Sequence, residues 1–123
     1  MGKFVIKKTK TGTKFVLKAT NGQVIADSEV YNSLASTKKG IASVARNAPI
    51  AAVEDQTVEG FAVEKNPKFE LYTDKRGEFR FRLKARNGQI IAVSEGYKTM
   101  KACVNGVNSV KKNVVDAPTE FED

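Results

Sequence analysis

The chain has 123 residues, of which 41% are hydrophobic and 28% are charged, as in an ordinary globular protein. Its net charge is +7, since residues 1–60 hold nine Lys and Arg against five Asp and Glu, and residues 61–123 hold twelve against nine. This balance permits anionic partners without requiring them. The sequence has no histidine, which excludes histidine-based acid–base catalysis, Ser-His or Cys-His nucleophile pairs, and histidine ligands for metals.

A single cysteine, Cys103, rules out an intrachain disulfide. The longest apolar stretches, such as 48–53, are too short to span a bilayer. The chain also begins without the apolar segment and cleavage site of a signal peptide. We therefore expect a cytoplasmic protein that is not held in a membrane.

The sequence contains an internal duplication. The segment Lys18–Tyr31 (KATNGQVIADSEVY) matches Lys84–Tyr97 (KARNGQIIAVSEGY) at ten of fourteen positions. Weaker matches extend to both sides, so that Phe4 pairs with Phe69 near the start of each copy. The chain is therefore a tandem repeat of one module.

The duplication sets the domain boundaries. We assign residues 1–59 to a first β-β-β-α-β repeat, 60–67 to a linker, and 68–123 to a second β-β-β-α repeat with an acidic tail. Both repeats are expected to form one compact domain. The tail contains Pro118 and is expected to fray unless Phe121 docks onto the rest of the protein.

Each repeat begins with two strands. The first is predicted at Phe4–Lys8 or Phe69–Thr73, and Asp74 with Gly77 suits a type I turn that closes with a left-handed residue. The second strand is clearest in the second repeat, where apolar and basic residues alternate with the period of a half-buried strand. Its apolar set is Phe79, Phe81, Leu83 and Ala85, and its basic set is Arg80, Arg82, Lys84 and Arg86.

An Asn-Gly pair follows in each repeat, Asn21-Gly22 and Asn87-Gly88. Asn-Gly between alternating segments favours a tight hairpin in which both turn residues have positive φ. The third strand is then predicted at Gln23–Asp27 or Gln89–Val93.

A helix is predicted after the third strand of each repeat. Ser33 and Thr99 can cap its start, and apolar residues recur behind them at helical spacing. Gly40 and Gly106 fall in mid-helix on the apolar side, where glycine costs about 1 kcal/mol relative to alanine. Their presence in both repeats predicts a close backbone approach, such as helix to sheet.

This pattern, NGQ-x-IA-x-SE-x-Y followed by a helix with a central glycine and a Ser-Val pair, resembles the YegP-like family of small uncharacterised bacterial proteins. The match is fullest over Phe69–Asn113 and weaker over Phe4–Asn47. The resemblance implies an α+β fold in which the two repeats form one antiparallel sheet, with helices packed on one face and terminal strands exchanged between repeats. It brings no established activity, cofactor or catalytic residue.

The basic set of the second strand is the one candidate anion-binding site, and we call it the basic ladder: Arg80, Arg82, Lys84 and Arg86. Side chains on one face of a strand stand about 6.6–6.8 Å apart, and arginine can grip phosphate with two donors. The alternative is a solvated face whose charges pair with nearby acids such as Glu70 and Glu78.

Residues retained in both repeats are assigned to folding. Cys103, on the apolar stripe of its helix, is expected to be buried and inert. Ser and Glu after the third strand can bond free amides near the helix start, and Tyr can plug the core with its hydroxyl at the edge. This structural signature comprises Asn21, Gly22, Ser28, Glu29, Tyr31 and Gly40, with Asn87, Gly88, Ser94, Glu95, Tyr97 and Gly106.

The sequence thus predicts a non-enzymatic binding module with no metal, cofactor or catalytic residue. Protein or self-association is the leading hypothesis, because a module that completes its sheet with a neighbour's strand can also exchange strands between chains. The alternative is weak, sequence-tolerant binding of nucleic acid or another polyanion through the basic ladder, which rests on the net charge and that one row of side chains.

Overall fold

The computed structural model describes residues 2–122 and has the predicted α+β fold. The described residues form a mixed sheet of eight strands, and two helices of 14 residues pack on one face of it. The elements are β1 (Lys3–Lys8), β2 (Thr13–Lys18), β3 (Val24–Asp27), α1 (Leu34–Asn47), β4 (Ala52–Asp55), β5 (Lys68–Thr73), β6 (Phe79–Lys84), β7 (Ile90–Val93), α2 (Met100–Asn113) and β8 (Thr119–Phe121).

The strands follow the spatial order β4-β5-β6-β7-β3-β2-β1-β8. Strand β4 ends the first repeat but pairs with β5 of the second, and β8 ends the second repeat but pairs with β1 of the first. The predicted exchange of terminal strands is therefore confirmed. Both exchanged pairs are parallel, while the inner pairs are antiparallel, so the sheet is mixed and the expectation of a wholly antiparallel sheet was wrong. The linker between β4 and β5 runs back along the sheet, which is what a parallel pair requires.

Within the acidic tail, Thr119–Phe121 form strand β8 rather than fraying. Phe4 N donates to Pro118 O at 2.9 Å, and Glu122 N donates to Ile6 O at 2.9 Å. The outer edge of β1 offers unpaired backbone groups, and the tail satisfies them. Phe121 lies in this strand opposite Ile6.

The core lies between the sheet and the helices and repeats the same aromatic pairs in each half. Phe4 and Phe15 meet edge to face with ring centroids 5.9 Å apart, and Phe69 and Phe81 do so at 5.7 Å. All four rings are essentially fully buried beneath helix residues such as Val44. The alternation seen in the sequence therefore correctly divides the strands into an inner and an outer face.

The Asn-Gly turns differ from the predicted hairpin with two positive φ angles. Only the glycines have positive φ, 86° at Gly22 and 84° at Gly88. Asn21 keeps ordinary backbone angles because its side-chain oxygen accepts a hydrogen bond from Gln23 N at 3.0 Å. Each turn is thus a type I turn closed by a left-handed glycine, the form that Asp74–Gly77 also takes, as predicted.

The helix starts are confirmed. Ser33 Oγ accepts a hydrogen bond from Ser36 N at 3.1 Å, and Thr99 Oγ1 accepts one from Ala102 N at 3.1 Å. These bonds satisfy amides that the first helical turn leaves free. Among the described residues, no helix combines the length and apolar character needed to cross a membrane.

Candidate functional site

The basic ladder lies on the outer face of the sheet, but it is not a row of free cations. Arg80 Nε donates to Asp74 Oδ2 at 2.7 Å, and Arg82 Nε donates to Glu70 Oε1 at 2.6 Å. Lys84 Nζ lies 3.2 Å from Glu70 Oε2. The hydrogen bond from Arg80 lowers the pKa of Asp74, so this pair is charged at neutral pH. Three of the four basic residues are therefore already paired.

Arg86 does not belong to the strand. Strand β6 ends at Lys84 because Ala85 begins the following turn, where Gly88 N donates to Ala85 O at 2.9 Å. The predicted row of four therefore contains three strand residues and one turn residue. Arg86 is exposed and forms no ion pair with residues 2–122.

Beside the ladder lies a buried ionic cluster of Glu54, Lys68 and Glu70. Lys68 Nζ donates to Glu54 Oε1 at 2.8 Å and lies 3.3 Å from Glu70 Oε2. The three side chains are only 1%, 8% and 4% exposed. Strand alternation assigns them to the solvent face, so the sequence carried no signal for their burial. The cluster joins β4 of the first repeat to β5 of the second.

Burial would raise the pKa of Glu54, but hydrogen bonds from Lys68, Gln56 and the Glu64 N–H, together with the Lys68 charge, lower it to about 2. The hydrogen bond to Glu54 in turn raises the pKa of Lys68. The cluster is therefore charged at neutral pH, and its second carboxylate is compensated by Arg82 and Lys84 of the basic ladder. Its donors and acceptors serve each other and leave no site for an anion.

The first repeat places valines, Val5 and Val16, where the second has the centre of this charged network. Both valines are buried on the outer face. Lysines around them also meet carboxylates, as in Lys14 with Asp27, whose Nζ and Oδ1 are 2.7 Å apart. The outer face of the sheet thus carries ion pairs in both halves.

The conserved pattern of Ser and Glu in the two repeats has a strand-based explanation rather than the predicted helix-start one. Ser28 Oγ accepts a hydrogen bond from Phe15 N at 2.9 Å and donates to Glu29 O at 2.8 Å. Ser94 makes the same two bonds in the second repeat. Glu29 and Glu95 have exposed side chains. The serines therefore complete the hydrogen bonding of a neighbouring strand.

The helix glycines and the tyrosines form one packing unit in each repeat. The Tyr31 ring stacks on Phe15 with centroids 6.3 Å apart, and a Cβ at Gly40 would lie 2.5 Å from the Tyr31 hydroxyl. Tyr97 and Gly106 repeat this arrangement. The close approach predicted for the glycines is confirmed, but the helix meets a tyrosine ring instead of sheet backbone.

Cys103 is fully buried, as predicted. Burial, with a smaller effect of Asp55, raises its pKa to about 11, so the side chain is a protonated thiol at neutral pH. Within residues 2–122, no three His, Cys, Asp or Glu side chains are grouped so that they could hold a metal ion.

The helical segments carry positive charge with no acid among them, which the sequence reasoning missed. Segments 30–53 and 96–115 contain seven of the 21 Lys and Arg residues and none of the 14 Asp and Glu residues. The other fourteen basic residues are balanced by those fourteen acids, so the whole net charge of +7 belongs to these two segments. We call their cations the basic helical layer: Lys38, Lys39, Arg46, Lys98, Lys101, Lys111 and Lys112.

Most of this layer has no partner among the described residues. Lys111 is the exception, since its Nζ donates a hydrogen bond to Ala51 O at 2.9 Å. Lys38 Nζ stands 5.7 Å from the centre of the Phe121 ring. The remaining five side chains are exposed and form no ion pair within residues 2–122. An acid-free stretch of this length is visible in the sequence, but its meaning depends on both helices sharing one face.

The family model described as a domain of unknown function, DUF1508, matches residues 10–55 and 74–120, one copy on each repeat. The chain belongs to the DUF1508 family. The UPF0339 protein YegP of Yersinia pestis is 41% identical over 114 residues, which cover 92% of this chain and 88% of that protein. The solution structure of Escherichia coli yegP, described as a protein of unknown function, has a TM-score of 0.80 and 36% identity, covering 98% of this chain and 92% of that one.

A UPF0339 protein of Methanosarcina acetivorans is 60% identical over 50 residues, which are 41% of this chain and 86% of that protein. The match is thus less than half of this chain but most of that protein. Because the family and the solved relative are both described as being of unknown function, function has to be argued from the surfaces of this chain.

Proposed function

We propose that this DUF1508 protein is a non-enzymatic module that binds polyanions, nucleic acid above all, on its basic helical layer. The observation that carries the proposal is the segregation of charge: the helical segments hold the entire net charge of +7 and no carboxylate. A one-signed surface of this kind attracts phosphate chains over long range and gains affinity by releasing their counterions.

The helix dipole favours the cations in the last turns, Arg46, Lys111 and Lys112, but it does not explain the other four. The first turns of α1 and α2 contain no acidic residue, although acids there would interact favourably with the helix dipole. Helix α2 also carries Lys101 in its first turn, where the helix dipole disfavours a cation. The absence of carboxylates from both helices therefore supports a ligand-binding surface.

The non-enzymatic part of the proposal is supported by the state of the polar groups. The thiol of Cys103 is buried and protonated, and the carboxylates of Glu54 and Glu70 are held in ion pairs. We also place the protein in the cytoplasm, where nucleic acids are available and an unpaired cysteine is stable.

Two variants with the same net charge test the proposal. The layer variant carries Lys39→Gln, Arg46→Gln, Lys101→Gln and Lys112→Gln, all at exposed positions. The control variant carries Lys10→Gln, Lys75→Gln, Arg76→Gln and Arg86→Gln, which are equally exposed but lie in turns of the sheet. Each variant lowers the net charge from +7 to +3, so only the location of the lost charge differs.

Fluorescence anisotropy with labelled DNA and RNA oligonucleotides, at low and at moderate salt, measures the effect. We expect wild-type affinity to fall steeply as the salt concentration rises. The slope of log affinity against log salt concentration should become shallower by about one for each phosphate-contacting layer residue that is replaced. The layer variant should lose at least about tenfold in affinity, while the control changes by less than about threefold. No binding at low salt, or equal losses in both variants, would contradict the proposal.

Self-association is the second candidate, and the exposed edge of the sheet favours it. Strand β8 forms one end of the sheet, and its residues are exposed. Such an edge can accept a strand from another chain. Sedimentation velocity over a wide concentration range tests this, and a monomer throughout would count against it.

A further inference from the structure

We infer that the first repeat contains a binding site for a small amphipathic anion, in a cavity between β1, β8 and the start of α1. The cavity has a volume of about 350 Å³, within the usual range for small-molecule sites. It opens on the helical side of the sheet. Its walls are Ile6, Lys8, Thr13, Leu34, Phe121 and Glu122.

One difference between the repeats contributes to the space. Thr13 and Phe79 hold equivalent positions, since each forms an isolated bridge with the conserved tyrosine of its own repeat, Tyr31 or Tyr97. Phe79 is partly buried and packs against the core, whereas the shorter Thr13 side chain occupies less of this space. The hydroxyl of Thr13 instead bonds the Thr37 hydroxyl, which places polar atoms in the wall of an otherwise apolar cavity.

The apolar walls remain open to a ligand. Phe121 faces the cavity from β8 but is 57% exposed, and Leu34 is 40% exposed. Large apolar side chains that stay this accessible around a concave site are typical of a binding surface. An alkyl or aromatic group that filled the cavity would cover both.

The charge at the rim selects an anion. Lys8 lines the cavity and Lys38 lies beside the Phe121 ring, and both are exposed without an ion pair among the described residues. Among residues 2–122, the acid that lines the cavity is Glu122, and it is already paired with Lys7, whose Nζ is 3.5 Å from its Oε2. An apolar body with one carboxylate therefore complements both the walls and the rim.

Octanoate and the neutral octanol are suitable probes, followed by shifts of amide and methyl resonances in NMR titrations of the full chain. We expect octanoate to shift Ile6, Leu34 and Phe121 together and to bind more tightly than octanol. Thr13→Phe should abolish these shifts by filling the cavity with the residue that the second repeat uses. Octanoate shifts that are absent from these three residues would overturn the proposal.

A charge variant covers the case in which Thr13→Phe does not fold. Lys8→Gln with Lys38→Gln should weaken octanoate about three- to tenfold, the range of two exposed ion pairs, and leave octanol unchanged. Lys10→Gln with Lys39→Gln removes the same charge from exposed positions outside the cavity and should leave both probes unchanged. Equal affinity for the two probes, or equal loss in both charge variants, would overturn the assignment to an anion.

Discussion

At the scale of single residues, the duplication separates folding from surface chemistry. The side chains retained in both repeats make the same contacts twice: Ser28 and Ser94 bond a strand amide, and Tyr31 and Tyr97 fill the space above a helix glycine. Residues that differ between the repeats instead shape the surface. Thr13 lines a cavity at a position where its counterpart is the larger Phe79, and the paired basic ladder exists in one repeat only.

Replacing Gly106 by alanine should destabilise the protein by about 1–2 kcal/mol. A Cβ there would lie 2.9 Å from Tyr97 Cζ and 3.0 Å from Phe81 Cε2, so two packed rings must move. Overpacking of this kind costs about 1–3 kcal/mol and outweighs the helix propensity that alanine gains. Urea denaturation measures the change, and Asn105→Ala at an exposed site of the same helix should be neutral or slightly stabilising. A Gly106→Ala variant more stable than the wild type would contradict the close packing of the glycine against these rings.

At the scale of elements, local patterns predicted the strands and helices well, because their signals are local. Period-two alternation, helix caps and turn residues each act over a few positions. The Asn-Gly turns were predicted with the wrong backbone because the sequence does not show that Asn21 bonds Gln23 N with its side chain. In the second repeat, the turn that begins at Ala85 ends β6 at Lys84, so Arg86 lies outside the strand.

The charges at the two ends of α2 should affect stability in opposite directions. Lys101→Glu places an acid in the first turn, where it interacts favourably with the helix dipole, and should raise the free energy of unfolding by about 0.3–1 kcal/mol. Lys112→Glu places an acid in the last turn and should lower it by a similar amount. Thermal unfolding at low salt measures both variants, and the same sign for both would refute the dipole explanation. Both should weaken polyanion binding, since each removes a cation of the basic helical layer.

At the scale of the whole molecule, the two repeats hold each other by exchanged strands and one buried ionic cluster. Glu54 comes from the first repeat and Lys68 from the second, so their ion pair connects the repeats. The exchange also completes the sheet within one chain. For this reason the strand argument for self-association is weaker than the sequence suggested, and the unpaired helical charges became the stronger guide to a partner.

The buried ionic cluster should make stability sensitive to acid. The pKa of Glu54 is lowered from 4.5 to about 2, so its contribution is fully present above about pH 4.5 and is lost as the pH falls towards 2. Wild-type protein should therefore lose stability across this window, whereas Glu54→Gln should be less stable at neutral pH and show a flatter profile. Urea midpoints between pH 2 and 7 measure this. Glu29→Gln, at an exposed site, should reproduce the wild-type profile, and a Glu54→Gln curve parallel to it would exclude the cluster as the cause.

The sequence by itself determined the duplication, the order of strands and helices, the inner faces of the strands and the burial of Cys103, because all of these follow from local periodicity. The resemblance to a family supplied the exchange of terminal strands. Only the tertiary structure decided which charges are free, since that depends on which strands become neighbours. In the folded protein, Arg80 pairs with Asp74 and Arg82 pairs with Glu70. Lys68 is buried beside two carboxylates, and the two acid-free helices lie on one face of the sheet.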